Sequence, residues 1–325
     1  MLPQGRRPES VLIRLTEYGG MTAWGEIPEP GDAEETLHRI ERDLGPALVG
    51  VDWEHPDELG VRPEFDLACW DLWCRMTGVP LAHALGGSRT NVVAGVRVPA
   101  ERDLDSLLSR VNRFMCAGYA HITLTITPGW DLEPLRAVRR LYPALAISVD
   151  GRRAYRNPEE LAALDGYGLL TVERPFAGLQ ESAELQIMVD AAVAPHIEDL
   201  PTLKAAIDAK AGRALTLRVS RLGGLSTARR AYDMAVRAGW DAHCAREGGT
   251  GIARAAALAL ASMRGCTFPS DVSDAPPRLG KGVRALAPDL SPHGGVVAVP
   301  LTQPGIGHTV DEEIVRRLAK QTVTV

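Results

Sequence analysis

Three stretches decide the fold: AISVD at 146–150, LLTVE at 169–173 and VAPHIE at 193–198. Each is a short apolar run that ends on a carboxylate, namely Asp150, Glu173 or Glu198. The intervals, 173 − 150 = 23 and 198 − 173 = 25, each fit one strand followed by one helix. If the runs are parallel strands, the three carboxylates meet at one rim of a closed barrel, where catalytic groups of that architecture lie. Three oxygen ligands there are typical of a hard cation such as Mg²⁺.

The same alternation of strand-like and helix-like stretches continues on both sides of these three segments. Short apolar runs, rich in β-branched residues, alternate with amphipathic stretches from Val92 onward. The further runs are VVAGVRV, HITLTI, LTLRVS and DAHC. Such alternation is typical of a parallel sheet, and its even spacing favours a barrel over an open sheet. We therefore predict an α/β protein whose barrel domain occupies residues 93–285.

The two ends of the chain do not show this alternation of strands and helices. VLIRL at 11–15 and MTAW at 21–24 flank EYGG and predict a hairpin. Two helical patterns follow, without alternating strands, so residues 1–92 form an α+β unit. The tail, 286–325, combines strand and turn signals and a short helix. Because it has no strand partner in the barrel pattern, we predict that it packs back on the first unit.

Composition excludes several classes of function. The 325 residues are 45% hydrophobic and 24% charged, with a net charge of −5, which is typical of a soluble protein and not of a nucleic-acid-binding one. No apolar stretch is long enough to span a membrane. The first ten residues lack the apolar core of a secretion signal, so we expect a cytoplasmic protein. The five cysteines are odd in number and form no CxxC pair, which indicates reduced thiols.

Several motifs, in order along the chain, resemble those of the enolase superfamily. They are EFDLACWDLWCRMTGVPLAHALGG, SVDGRRAY, TVERPF, RVSRLGGL and EGGTGIARAAALALA. The likeness is greatest to the muconate-lactonizing branch, which includes o-succinylbenzoate synthases and N-succinylamino acid racemases. The resemblance implies a TIM-like (β/α)7β barrel, with an α+β capping domain built from the N-terminal segment and the C-terminal tail. It also implies a homo-oligomer, a dimer or an octamer.

The resemblance further implies that a lysine or histidine base abstracts a proton next to a substrate carboxylate, and that Mg²⁺ stabilises the resulting enediolate. Asp150, Glu173 and Glu198 match the metal ligands of the family. The usual lysines, however, are replaced. Their positions hold Thr123, Thr125 and Arg218. A threonine hydroxyl is not basic near neutral pH, and arginine does not deprotonate in proteins.

At the positions where the family carries its catalytic bases, one residue of this chain can still act as a base. His243 matches the catalytic histidine of the mandelate-racemase branch, and histidine can act alone when its pKa lies near the working pH. Arg218, as a permanent cation, would bind or polarise the substrate carboxylate. The predicted catalytic residues are therefore His243 and Arg218.

Further residues are predicted to contact the substrate. The glycine-rich stretch 248–251 precedes a helix, whose backbone N–H groups can bind an anion. Gly249 and Thr250 belong to this loop, and Arg246 lies just before it. Gly249 also matches a position where the family often carries an acid. With Thr123 and Thr125 at the former lysine positions, these residues complete the predicted substrate-binding set.

Alternatives remain for each of these features. The carboxylates can instead be neutralised by nearby arginines, among them Arg152, Arg153, Arg174 and Arg218, since guanidinium groups match carboxylates well. His243 can be structural, and tight turns require glycine in any case. Two functions stay open. One is a divergent lyase or isomerase acting on a small carboxylate. The other is a catalytically impaired or non-catalytic descendant that binds an anionic metabolite.

Overall fold

The computed structural model describes residues 9–60, 62–273 and 290–325. Its strands are β1 Ser10–Thr16, β2 Thr22–Pro28, β3 Asn91–Val93, β4 Gly95–Val98, β5 His121–Thr125, β6 Ala146–Asp150, β7 Thr171–Glu173, β8 Ala192–Ala194, β9 Ala214–Leu217, β10 Asp241–Cys244 and β11 Val296–Ala298. Its α-helices are α1 Ala33–Arg39, α2 Pro63–Thr77, α3 Leu81–Ala84, α4 Leu104–Cys116, α5 Leu132–Leu141, α6 Glu159–Ala162, α7 Leu179–Met188, α8 Leu200–Asp208, α9 Leu225–Arg237, α10 Gly251–Ala261 and α11 Glu312–Leu318.

The chain opens with the predicted hairpin, which is confirmed. β1 and β2 pair antiparallel, with Ile13 opposite Gly25. Helix α2 lies against this hairpin, and its Phe65 and Cys69 join Val11 and Ile13 in a small apolar core. The backbone of α2 approaches so closely that a Cβ on Gly25 would lie 2.7 Å from the Ala68 nitrogen. Only glycine allows this contact.

The middle of the chain forms a parallel sheet flanked by helices, as predicted. β4, β5, β6, β7 and β8 are neighbours in that order, and β9 pairs with β10. The Arg213 N–H donates to the Val193 carbonyl at 3.0 Å and so connects β8 to β9. On the other side, Ala242 N–H donates to Gly265 O and Gly95 N–H to Ser270 O, each at 2.8 Å. The segment 265–271 therefore links β10 back to β4 and closes the ring.

Alternation along β5 explains why polar residues lie inside this ring. Successive side chains of a strand point to opposite faces. Ile122 and Leu124 lie in the large core that also contains the apolar residues of α4 and α5. His121 and Thr123 instead contact side chains of β6 and β7. The interior of the ring thus carries hydrogen-bonding and charged groups.

The tail contacts residues near the start of the chain. β11 pairs antiparallel with β3. The Ile306 N–H donates to Asp71 Oδ1 at 2.7 Å. Arg14 pairs with Glu312 of α11 at 2.9 Å. The predicted boundary between 285 and 286 lies outside the described residues, and the boundary at 92 stays a prediction. No helix in the described ranges has the length and hydropathy that a membrane crossing requires.

Glu26 of β2 connects the hairpin to the barrel through the N-terminus of α10. Its carboxylate is buried and accepts hydrogen bonds from Thr250 N–H at 2.6 Å, Thr250 Oγ1 at 2.7 Å and Ala253 N–H at 3.0 Å. Burial raises the pKa of Glu26, and the Thr250 and Ala253 hydrogen bonds oppose this effect. The carboxylate also lies where the helix dipole favours an anion.

We expect Glu26→Ala to lower the free energy of unfolding by about 2–3 kcal/mol, because it leaves buried donors of α10 without a partner. Urea unfolding followed by circular dichroism measures the change. Asp32→Ala is the matched control, since it removes the exposed N-cap of α1 and should cost about 1 kcal/mol. Equal losses in the two variants would contradict this role of Glu26.

Candidate active site

Asp150 and Glu173 lie side by side at the carboxyl ends of neighbouring parallel strands. The register of β6 and β7 places them directly opposite each other. Both are buried, each with 1% of its surface exposed. Two ionised carboxylates cannot remain next to each other in the interior without compensating charge. The identity of their partners therefore determines what this site can do.

The main partner is Arg97 of β4, which the sequence interpretation missed. Its Nη1 lies 2.6 Å from Asp150 Oδ2, and its Nη2 lies 2.6 Å from Glu173 Oε2. One guanidinium thus bridges both carboxylates. Burial alone would lower the pKa of Arg97, but the charges of Glu173 and Asp150 outweigh it and raise that pKa. A signal was present in the sequence, because an arginine inside the apolar run VVAGVRV can be buried only with partners.

Arg174 is the second partner. Its Nε lies 3.1 Å from Asp150 Oδ1, and its Nη2 also contacts Asp150. Among the local arginines proposed from the sequence, Arg152 reaches Asp150 only through its backbone N–H, at 3.1 Å. Arg153 and Arg152 are exposed. The alternative of arginine neutralisation is thus realised, chiefly by Arg97 and Arg174.

These cations keep Glu173 ionised. Burial would raise the pKa of this carboxyl group, but the charges of Arg97 and of His243, if protonated, and the Arg97 hydrogen bond lower it to about 2. Thr123 adds a long hydrogen bond, from Oγ1 to Glu173 Oε1 at 3.5 Å. Thr125 is buried in register with Asp150. The threonines at the former lysine positions therefore line the carboxylate pair.

Glu198 is placed differently from the other two carboxylates. β8 ends at Ala194, so Glu198 follows four residues after the strand. Its side chain is 55% exposed and lies 3.4 Å from His196 Nε2. The next residue, Asp199, caps α8 by accepting from the Thr202 N–H at 2.7 Å. Across the described ranges no three His, Cys, Asp or Glu side chains are grouped as a metal ion would require. The predicted set of three ligands is therefore not assembled.

Arg218 follows β9 and is partly buried. Burial is the main cause that lowers its pKa, and the like charges of Arg97 and Arg174 lower it further. Glu247 and Glu173 oppose this shift. Within the described part of the chain, no carboxylate oxygen lies within 4.0 Å of the Arg218 guanidinium, and Glu247 acts on it from a longer distance. Arg218 thus lies near other cations, and among the described residues the carboxylates of Glu247 and Glu173 act on it electrostatically without an ion-pair contact.

His243 of β10 lies deep in the ring. Its Nε2 is 2.9 Å from Thr216 Oγ1 and 4.0 Å from Glu173 Oε1. Burial lowers the pKa of His243; Glu173 opposes this, while Arg97 and Arg218 add to it. The imidazole is therefore neutral near pH 7 and keeps the ability to accept a proton.

The predicted substrate-binding loop contacts the hairpin. Thr250 gives both its N–H and its hydroxyl to Glu26. Gly249 has φ of +78°, and a Cβ there would lie 2.3 Å from Glu26 Oε1. Arg246 precedes these residues and acts electrostatically on the buried Asp271. The helix N-terminus that the sequence predicted as an anion site thus already binds a carboxylate, that of Glu26.

A second buried histidine lies deeper in the ring. His121 Nε2 is 2.9 Å from Ser148 Oγ. Burial lowers the pKa of His121 to about 3, although the Glu173 charge opposes this. The sequence interpretation did not single it out, because a histidine at the start of a strand carries no functional signal by itself.

We expect the free energy of unfolding to fall below pH 6.5, in part because of His121. The unfolded chain binds a proton on this histidine near 6.5, whereas the folded chain does so near 3. The stabilisation is complete above pH 6.5 and is lost progressively toward pH 3, by up to about 4 kcal/mol. Urea unfolding at several pH values measures the slope. His121→Gln should flatten it, whereas the exposed-site control His83→Gln should not. Equal slopes for both variants would contradict this assignment.

Comparisons with known proteins agree with the fold described above. Residues 106–314 match the family model described as enolase C-terminal domain-like. An o-succinylbenzoate synthase of Geobacillus stearothermophilus is 30% identical, over 96% of this chain and 89% of that protein. An N-succinylamino acid racemase of Thermus thermophilus is 31% identical, over 83% and 80%. The structure of an enolase superfamily member from Listeria innocua superposes with a TM-score of 0.83 at 26% identity, covering 95% of this chain and 89% of that one.

The chain belongs to the enolase superfamily, as the sequence motifs predicted. It shares the superfamily fold, and the relatives above are named as a synthase and a racemase. A superfamily structure from Roseovarius nubinhibens is described as complexed with magnesium; it superposes with a TM-score of 0.78 at 24% identity, covering 94% of this chain and 90% of that one.

The residues present here do not fit a magnesium ion. Mg²⁺ requires oxygen ligands at about 2.0–2.1 Å in octahedral geometry. The inner oxygens of Asp150 and Glu173 are instead bound to Arg97 at 2.6 Å each. Glu198 is exposed and paired with His196. A cation at this place would meet the Arg97 guanidinium, and their charges would repel.

Proposed function

We propose that this chain binds a small carboxylate-bearing metabolite at the mouth of the barrel, without the metal-assisted proton abstraction that the superfamily resemblance implies. The observation that carries the proposal is Arg218, a partly buried cation close to Arg97 and Arg174 that makes no ion-pair contact among the described residues, although Glu247 acts on it electrostatically. A carboxylate next to Arg218 would relieve the repulsion from Arg97 and Arg174. It would also receive paired N–H donors in the geometry that suits it.

The chemistry of the site supports binding without turnover. Thr123 and Thr125 have no basic group, and Arg218 stays protonated. The Asp150 and Glu173 carboxylates are occupied by Arg97 and Arg174. Neither is therefore available to take a proton from a ligand.

The capping unit would cover this mouth. Residues 1–92 and 286–325 form that unit in our proposal, and 93–285 form the barrel. The Gly248 position lies against Glu29, since a Cβ there would be 2.7 Å from Glu29 Cδ. The loop after β10 therefore lies under the hairpin, next to where we place the ligand. A homo-oligomer, a dimer or octamer, stays part of the proposal.

The test combines binding with isotope exchange. The ligands are short mono- and dicarboxylates, o-succinylbenzoate and N-succinyl amino acids, the last two taken from the names of the relatives. Calorimetry should detect at least one ligand, and its α-protons should not exchange in D₂O by NMR. No binding by any carboxylate, or exchange well above the buffer rate, would overturn the proposal.

A second function is favoured by one specific observation. Neutral His243 lies 4.0 Å from Glu173, so it is a possible single base for a proton-transfer enzyme. In that case the wild-type chain would catalyse α-proton exchange, and His243→Gln would abolish exchange while binding persists. If the wild type does not catalyse α-proton exchange, or if His243→Gln exchanges as fast as the wild type, this second function is ruled out.

A further inference from the structure

The charges around the two strand-end carboxylates balance without an ion. Asp150 and Glu173 together carry −2. Arg97 and Arg174, which contact them, together carry +2, the charge of a divalent cation. We infer that Arg97 and Arg174 replace the divalent cation at the mouth of this barrel, so that the chain is built to function without metal.

The geometry of Arg97 supports the replacement. The guanidinium lies between the two carboxylates, with one terminal nitrogen on each at 2.6 Å. The charge of a third carboxylate, Asp271, also acts on Arg97. Two acidic groups thus contact the guanidinium, and Asp271 acts on it without a hydrogen bond to it. The guanidinium of Arg97 therefore supplies the positive charge of a cation and occupies the position between the two carboxylates.

The backbone of Arg174 indicates that the second arginine is positioned by the fold. Its φ is +44°, a conformation that non-glycine residues rarely adopt. Its N–H donates to Ala194 O at 2.7 Å, and its carbonyl accepts from Arg153 N–H at 2.7 Å. These bonds fix the unusual conformation and direct the side chain toward Asp150. Such local strain is typical of functional sites.

The experiment measures Mn²⁺ and Mg²⁺ binding to the full chain, by electron paramagnetic resonance and calorimetry. We expect no stoichiometric binding to the wild type up to about 5 mM metal, the range expected for a weak site. The double variant Arg97→Ser/Arg174→Ser should bind one equivalent of Mn²⁺, at least about tenfold more tightly than the wild type, and Glu173→Gln in that background should remove the binding.

The matched control is Arg75→Ser. Arg75 pairs with buried Asp71 at 2.9 Å, away from this site and without a second carboxylate. The Arg75→Ser variant should not gain metal binding. Stoichiometric binding by the wild type that Glu173→Gln abolishes would overturn the inference, whether or not the double variant folds. A folded double variant with no gain would overturn it too. This experiment measures metal binding and not carboxylate binding. A negative result here therefore does not decide the proposed function, which has a separate test.

Discussion

Replacing Arg97 by methionine is expected to lower the free energy of unfolding at pH 7 by about 3–5 kcal/mol. The substitution keeps most of the side-chain volume but removes the guanidinium between Asp150 and Glu173. Two buried carboxylates then lose their shared counter-charge. Removing one partner of a buried ion pair costs more than the pair itself contributes, because the remaining charges stay desolvated. Urea unfolding followed by tryptophan fluorescence measures the loss.

The pH dependence of this loss has a definite sign. The pKa of Glu173 is about 2 in the folded chain, against 4.5 for a free glutamate, as expected in the unfolded chain. The stabilisation by Arg97 is therefore present above pH 4.5 and is lost as the pH falls toward 2. The difference between wild type and Arg97→Met should shrink over that window. A difference that grows as the pH falls would contradict the ion-pair account.

Two further variants make the test specific. Arg14→Met removes an exposed arginine that pairs with Glu312 and should cost less than about 1 kcal/mol. The triple variant Arg97→Met/Asp150→Asn/Glu173→Gln removes all three charges and should recover most of the lost stability. An Arg97→Met loss no larger than that of Arg14→Met would contradict the central role of this guanidinium.

Replacing Arg218 by methionine is expected to weaken carboxylate binding by at least about 30-fold, or about 2 kcal/mol, the range for hydrogen bonds to a charged group. The same substitution should raise the stability of the ligand-free chain, because it removes a partly buried cation from beside Arg97 and Arg174. Weaker binding together with higher stability is the pattern of a residue retained for function. Calorimetry and urea unfolding measure the two effects.

Arg221→Met is the control for Arg218→Met. Arg221 lies three residues further along the same loop and is exposed. Its substitution should change affinity by less than about twofold, as for surface positions away from a site. Lysine at position 218 keeps the charge but loses the paired donors, so intermediate affinity is expected. Unchanged binding in Arg218→Met would show that the ligand carboxylate lies elsewhere.

The sequence predicted the strand-end carboxylates only where the strands reach them. β6 ends at Asp150 and β7 at Glu173, so the spacing rule succeeded for that pair. β8 ends at Ala194, and Pro195 and His196 carry the chain away before Glu198. Counting residues between acidic groups assumes that each apolar run is strand throughout. VAPHIE is strand only in its first part.

The partners of these carboxylates were harder to predict. Arg97 precedes Asp150 by 53 residues, and only the ring closure brings β4 near β6 and β7. Similarly, the N-terminus of α10 was predicted to bind a substrate anion, but its donors bind a carboxylate of the chain itself. That carboxylate belongs to Glu26, 224 residues earlier. Local patterns indicate what a position can bind. The tertiary fold determines whether the chain itself supplies the partner.

The most direct test of the account is ligand binding with and without metal. The affinity for the best carboxylate ligand is measured by calorimetry, once in excess EDTA and once in about 5 mM Mg²⁺, the range of a weak site. If arginine supplies the positive charge of this mouth, the two dissociation constants should agree within about twofold. Binding that requires Mg²⁺ and disappears in EDTA would contradict the account.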